Sequence, residues 1–469
     1  MRTNIIIVIV FLISSFAIAQ EEEKEEAPKY SLFRATENYE YLKNEIDNAY
    51  EEDAFDPIKF IPLNAKKNVY LSIGGQVRPR LEVFSNRFWE GEEDENFYSQ
   101  RLAFHVDLHF GKNIRVFTEL YHGYTSHEKE FTEFDEIDFH QAFVEFKVYS
   151  KPETDFSFLF GRQEMAYGAA RLVGLREGPN IRRTFDASRF ILKTGNTDIQ
   201  AFYAREVQPI FGAFNNKFTL FDNNATNPKF WGLYNQFIIK GLNGTNELYY
   251  LGYQNKNAEF NDVTGKETRH SIGLRRFGRI GKRWNYNTEL TYQFGTISDA
   301  DISAFNFETD WHYTLVNTSW RLNPGLKLEY TSGDKNSGDN KLNSFNPLFV
   351  NPAYYSLAAT VTPVNLVAIH PSISLKPLEK LRLYTEWAFF WRASKNDGLY
   401  RPPRFINRPA NGITERGLGN QFGFQASYEF NRHLSLDLDM SYFIAGEFQE
   451  ASGEAENIFH FAPTLNYKF

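Results

Sequence analysis

Residues Asn457 to Phe469 read NIFHFAPTLNYKF. Every second residue, Phe459, Phe461, Pro463, Leu465, Tyr467 and Phe469, is apolar or aromatic, and those between, His460, Ala462, Thr464, Asn466 and Lys468, are small or polar. Strand side chains alternate between two faces, so this spacing gives one apolar face and one wet face. A strand of this kind that stops on an aromatic has the form of the closing strand of an outer-membrane β-barrel, apolar toward lipid and polar toward a lumen.

Composition agrees. In 469 residues there are 46 Phe and 26 Tyr. Length alone would suggest two or three soluble domains, but a soluble core does not need so many rings, whereas a lipid-facing wall with aromatic girdles does. The absence of Cys excludes disulfides and thiolate metal sites and suits an oxidising compartment. Arg2, the apolar run Ile5 to Ile13 and Ala17-Ile18-Ala19 read as a secretory signal peptide over residues 1–19, too short to span a membrane. Losing Arg2 with it makes the formal net charge of −8 one unit more negative. No later stretch approaches 18 consecutive apolar residues, so a membrane-spanning form must be a barrel. The expected location is the outer membrane of a Gram-negative bacterium.

Residues 20–69 read as a periplasmic leader or a partial plug in the barrel mouth. Within them lie the charge run Glu21 to Glu26, a short helix over Glu37 to Tyr50, and DPIKFIPL (Asp56 to Leu63), whose two prolines exclude a central strand. Alternation starts at Tyr70. Leu71, Ile73, Val77, Leu81 and Val83 point out, and Gln76, Arg78, Arg80 and Glu82 point in; Leu102, Phe104, Val106, Leu108 and Phe110 then oppose Arg101, His105, Asp107 and His109. Continued to the end, the pattern gives about 18 antiparallel strands across residues 70–469, an even number as bacterial single-chain barrels have. Short turns at Gly111-Lys112, Thr194 to Asn196, Lys376 to Lys380 and Asn431-Arg432 alternate with long loops at 86–98, 125–137, 164–184, 207–227, 255–268, 333–364 and 393–418. Short periplasmic turns and long external loops are the outer-membrane arrangement. A barrel this wide leaves an aqueous channel, so permeation is the expected function.

The stretch Phe160 to Lys193 carries Arg162, Arg171, Arg176, Arg182, Arg183 and Arg189. Arginine pairs bidentately with carboxylates and stays charged, and rings of Arg or Lys select anions in pores. Either this loop folds into the lumen as an anion-binding constriction, or it is a basic external loop that meets phosphate or lipopolysaccharide. Strand parity puts Arg162 toward lipid; a bulge at Gly161 would turn it inward. The inward wall is mixed: Arg78, Arg80, Arg101, Arg115, Arg275, Arg382 and Arg392 face Glu82, Asp107, Glu119, Glu289, Glu329, Glu386, Asp437 and Asp439. His105, Asp107 and His109 share one face and could form a metal or hydrolytic site, but no GxSxG or HExxH motif accompanies them. Gly333 to Asn340 lacks the ligand spacing of a calcium loop.

Several stretches in order, YLSIGGQVRPR (Tyr70 to Arg80), GRQEMAYGAARL (Gly161 to Leu172), REGPNIRRTFD (Arg176 to Asp186), KETRHSIG (Lys266 to Gly273), TSGDKNSGDNKLNSFNPLF (Thr331 to Phe349) and FFWRASKNDG (Phe389 to Gly398), resemble the alginate-export family of outer-membrane barrels. The resemblance implies an 18-stranded monomeric barrel with an Arg-rich lumen that passes an anionic polysaccharide, with no cofactor and no nucleic-acid partner. By motif, Arg162 in GRQ and Arg392 in FFWR correspond to lumen arginines of that family; Arg78, Arg189 and Arg275 rest mainly on strand parity. The expected substrate track is therefore Arg162, Arg392, Arg189, Arg78, Arg80, Arg101, Arg275, Arg182 and Arg183. Its partners are uronate oligomers or polysaccharide, outer-membrane lipid and lipopolysaccharide, and periplasmic export proteins. A general or anion-preferring porin, a barrel hydrolase and a plugged structural or adhesion barrel are the alternatives.

Overall fold

The computed structural model describes residues 28–43, 52–89, 94–127, 130–315 and 320–469. The expected signal peptide, the acidic run and the second half of the helix expected over Glu37 to Tyr50 lie outside the described residues; in its first half Glu40–Lys43 forms a single 3-10 turn. Eighteen long strands follow: β1 (Val69–Ser85), β2 (Glu95–Phe110), β3 (Ile114–Thr125), β4 (Asp135–Lys151), β5 (Thr154–Gln163) and β6 (Phe185–Thr194). Next come β7 (Thr197–Glu206), β8 (Lys229–Phe237), β9 (Thr245–Glu259), β10 (Thr264–Ile280), β11 (Trp284–Ile297) and β12 (Ala300–Tyr313). The last are β13 (Asn323–Thr331), β14 (Leu366–Leu378), β15 (Leu381–Arg392), β16 (Gly417–Glu429), β17 (Leu434–Ala445) and β18 (Ile458–Lys468). Each pairs antiparallel with the next, and β18 returns to β1, with Val77 opposite Tyr467 and Arg80 opposite Thr464. Closure matters because in hydrocarbon each unpaired backbone polar group costs several kcal/mol, and a closed sheet has no edge.

The alternation is physical. On the outer face Leu81 is 55% exposed, Phe104 45% and Leu290 45%, while the inward Arg78, Arg101 and Glu289 are 2%, 0% and 4% exposed. In the closing strand Leu465 is exposed and His460, Ala462 and Thr464 are buried. Both ends of the barrel sequence lie at the end carrying the shorter turns, such as the one through Gly111, whose φ of +63° suits glycine.

Two departures modify the expected loops. The loop expected at 255–268 is mostly sheet: β9 and β10 extend to Glu259 and from Thr264, leaving residues 260–263 as the connection. On the same end, β11 and β12 are joined by only Ser298 and Asp299. Polar strand ends that rise past the membrane read as loop in a sequence because their alternation is polar on both faces. The segment DPIKFIPL forms a short helical turn, Asp56–Lys59, and a two-residue strand, Ile61–Pro62, added alongside β1.

Candidate functional site

Around the loop 164–184 the lumen wall is basic on one side and acidic on the other, with Glu82 on the first side and Arg275 on the second as exceptions. Arg78 and Arg80 on β1 and Arg101 on β2 face inward. Across the barrel, Glu247 on β9, Glu289 on β11, Glu308 on β12 and Glu329 on β13 also face inward and are buried. The loop 164–184 folds into the space between and bridges the two sides. Its Arg171 donates from Nη1 to Glu289 at 2.8 Å and pairs with Glu308. Its Glu177 receives Arg101 Nη1 at 2.8 Å, and Arg182 Nε approaches the other carboxylate oxygen at 2.7 Å.

The basic wall grips this loop through its backbone as well. Arg78 donates to the carbonyls of Glu177 (2.8 Å), Gly178 (3.2 Å) and Pro179 (2.9 Å). Arg80 Nη1 reaches Gly178 O at 2.6 Å, and Arg101 reaches Asn180 O and Pro179 O, both at 2.7 Å. Guanidinium groups present several donors in one plane, which matches a run of carbonyls. Burial pushes the Glu177 carboxyl up, but Arg101, Arg182 and Arg78 together outweigh it and hold the group below the usual range. Near the outer end of the loop, Glu133 accepts from Asn180 N at 3.1 Å, and burial, with Glu82 adding, pushes its carboxyl up to about 7.

A second loop, 332–365, folds in beside the first. Tyr355 donates to Glu329 at 2.7 Å and Tyr354 donates to Glu308. Arg183 joins the two loops: it donates to Gly174 O at 2.9 Å, to Phe349 O, and to Glu206 at 2.8 Å.

Two cavities flank this constriction and share Arg80, Gly178, Ala353 and Leu357 as lining. The outer one, about 80 Å³, has Glu82, Glu130 and Glu133 against Arg80 and Arg87. The inner one, about 360 Å³, has Arg34, Arg78, Arg80, Arg182 and Lys468 against Glu177 and Asp437. Its periplasmic side is bounded by the segment around Ser31 to Arg34. Arg182 donates to Leu32 O at 3.1 Å, Arg115 to Ala35 O at 2.7 Å, and Arg34 to Phe469 O at 2.7 Å. Further along, Lys59 Nζ donates to Ile73 O at 2.9 Å beside the inward Gly74, and Phe60 stacks on the inward Tyr70.

The nine expected arginines separate into groups. Arg78, Arg80, Arg101, Arg182 and Arg183 converge on the constriction. Arg275 faces the lumen on the acidic side, bound to Glu247 and Asn287 at 2.8 Å each. Arg189 faces inward and meets the amide oxygens of Gln200 (2.9 Å) and Gln163 (3.5 Å). Arg392 is fully buried at the outer end, where it donates to the carbonyls of Asp397 (2.9 Å), Ile413 (2.7 Å) and Glu415 (3.1 Å) and so ties down loop 393–416.

Arg162 lies outside the lumen. The register of β4 with β5 is unbroken there, Phe143 opposite Gly161 and Ala142 opposite Arg162, so the expected bulge is absent at Gly161. Arg162 keeps its outward parity and meets Asp186 at 2.8 Å. The loop 207–228 covers the pair from outside: Arg162 donates to Lys217 O at 2.9 Å, and Thr219 N donates to Asp186 at 2.7 Å. Over that loop, Phe218 and Phe221 pack on the outward Phe160.

On the His105, Asp107 and His109 face the side chains have other partners. Asp107 is held by two bonds from Arg115, at 2.7 Å each, and by His109 at 3.2 Å, while His105 stacks on Phe117. Arg382, expected inward, is exposed at the periplasmic end near Glu429. Asp334 and Asp339 accept loop backbone N–H groups from Asn343 and Lys341. Glu119, His140 and Glu164 form a buried group with the donor types a metal ion uses.

Of the charged cavity residues, Arg34, Arg87, Glu130, Glu133 and Lys468 were not singled out from the sequence. Lys468 is readable, because it sits at an inward position of the closing strand; nothing in the sequence around Arg34 links it to the lumen.

No curated protein matches the chain. Solved structures share its fold at low identity. OccK9 (OpdG) of Pseudomonas aeruginosa is 8% identical with a TM-score of 0.56, covering 85% of this chain and 98% of that one. OccK2 (OpdF) of the same organism, solved in complex with glucuronate, is 11% identical with a TM-score of 0.54 and the same coverages. A BenF-like porin from Pseudomonas fluorescens Pf-5 is 10% identical with a TM-score of 0.54, again covering 85% and 98%. The fold is thus that of an outer-membrane porin. The model of the alginate export family matches residues 69–462, the whole barrel but its last few residues, and the chain belongs to that family.

Proposed function

We propose that this outer-membrane channel passes anionic sugars, in particular uronate oligomers or an alginate-like polyuronate. The observation that carries the reading is the inner cavity, where five basic side chains face two carboxylates. A sugar carboxylate entering it meets guanidinium groups already aligned by their bonds to the constriction loop. Permeation needs such sites to bind weakly enough to release, and groups already occupied by carbonyls meet that need. Family membership and a structural relative holding glucuronate support the same substrate class.

In this reading residues 1–19 direct export and are removed. The described N-terminal residues 28–43 and 52–63 act as a periplasmic-side plug that leaves the lumen during transport, and the barrel works as a monomer. Single-channel recording of the refolded protein in a planar bilayer tests it. Anion-selective conductance, blocked by uronate oligomers and weakened in Lys468→Ala, supports the reading. Conductance that ignores uronates leaves a general porin.

A further inference from the structure

At the root of the constriction loop, three side chains converge from three elements. Glu119 comes from β3, His140 from β4, and Glu164 opens the loop 164–184 directly after β5. One donor atom of each lies within 4.8 Å of the others, and all three residues are buried. His140 reaches the site by a break in register: Glu119 pairs with Gln141 and Leu120 with Phe139, leaving His140 as an extra residue. Bulges of this kind re-aim a side chain, and here His140 and Gln141 are both buried on the lumen side.

The polar contacts leave part of the group unanswered. His140 Nε2 lies 2.9 Å from Glu164 Oε1, and Arg182 Nε lies 3.2 Å from the same oxygen. Gln141 donates to Glu119 Oε2 at 2.8 Å and accepts from Glu164 N at 3.1 Å. Glu119 Oε1 and Glu164 Oε2 are buried without a hydrogen-bond partner. Among the described residues no ion pair reaches Glu119, and Arg182 also serves Glu177 at 2.7 Å. Buried carboxylates are expected to be paired or to coordinate a metal. One imidazole and two carboxylates form a borderline-hard set that suits zinc and its neighbours. The Tyr121 ring stacked on His140 at 3.7 Å fixes the imidazole plane.

We propose that Glu119, His140 and Glu164 bind one divalent transition-metal ion of the zinc type, which fastens the root of the constriction loop to the barrel wall. The three residues supply three ligands and water completes the shell. With the metal bound, the two buried carboxylates gain a cation between them.

The test is zinc titration of the untagged, refolded barrel after chelator treatment, with a chromophoric chelator in competition. One equivalent of tight binding is expected, at least tenfold weaker in Glu119→Gln and in His140→Phe, and unchanged in His433→Ala, which removes a histidine paired with Asp53 away from the site. Zinc-edge absorption should show one imidazole with oxygen donors. A fold control comes from the unliganded variants' heat-modifiable migration; if Glu119→Gln does not fold, Glu164→Gln replaces it. Absence of a stoichiometric site in the wild type, equal binding by the folded variants, or loss only in His433→Ala would overturn the proposal.

Discussion

Arg101 on the basic wall and Glu177 on the inward loop meet at 2.8 Å, while Arg171, six residues earlier, is bound to Glu289 on the opposite wall, also at 2.8 Å. The constriction loop is therefore clamped at both sides by ion pairs of opposite polarity. Arg78, Arg80 and Arg182 add further ties on the Glu177 side, so breaking one pair loosens the loop without detaching it.

Replacing Arg101 by Ala should release the Glu177 side. It removes bonds to one carboxylate and three carbonyls, though Arg78 and Arg182 remain on Glu177. With each hydrogen bond to a charged group contributing about 1.5–3 kcal/mol, a stability loss of several kcal/mol in urea unfolding and a larger, noisier single-channel conductance are expected. Unchanged conductance with lowered stability would mean that the loop does not set the pore.

Arg162→Ala separates the outer face from the lumen. It leaves Asp186 buried and short of its ion partner, and removing one partner of a buried pair costs about 3–5 kcal/mol. Loop 207–228 should become protease-sensitive. The reversal potential in a salt gradient should stay as in the wild type, since Arg162 lies on the outside of the wall.

Arg392→Ala should likewise loosen loop 393–416, measured as faster proteolysis there, with selectivity unchanged. Its donors go to loop carbonyls, and it does not line the inner cavity.

Lys59 gives the N-terminal segment a pH dependence. Burial, with Arg34 adding and Glu37 opposing, lowers its pKa from 10.5 to about 7. Between those values the released lysine binds more protons than the docked one, so docking strengthens as pH rises from about 7 toward 10.5 and is weakest below 7. The rings of Tyr30, Tyr39 and Phe469 surround the ammonium, and Arg432 and Asp53 lie nearby. Because the chain has no Cys, a single fluorophore at Ser31→Cys reports docking. Release should increase several-fold from pH 9 to pH 6, and Lys59→Met should flatten the profile.

The strand count, closure and inward residues were legible because lipid and lumen impose a two-residue period on every strand, as in Tyr286 to Phe294. Arg78, Arg80 and Arg101 could be placed by that parity alone. What those arginines bind was not legible, since a loop's path through a lumen is set by contacts far apart in sequence, such as Arg78 with Gly178. Arg162 shows the opposite case: parity placed it outside, and the inferred bulge at Gly161 was wrong because the ladder runs through that glycine without a shift. Arg392 ends its strand, so its side chain serves the adjoining loop.

The measurement that tests the account most directly is the reversal potential of the wild-type channel under a potassium chloride gradient, followed by titration with uronate oligomers, in parallel with Arg80→Ala and Lys468→Ala, two residues of the barrel wall that line the inner cavity. The account predicts anion selectivity, block by the oligomers, and weaker block in both variants as charge leaves the inner cavity. A cation-preferring channel that conducts equally with and without uronates, and does not change in either variant, would contradict it.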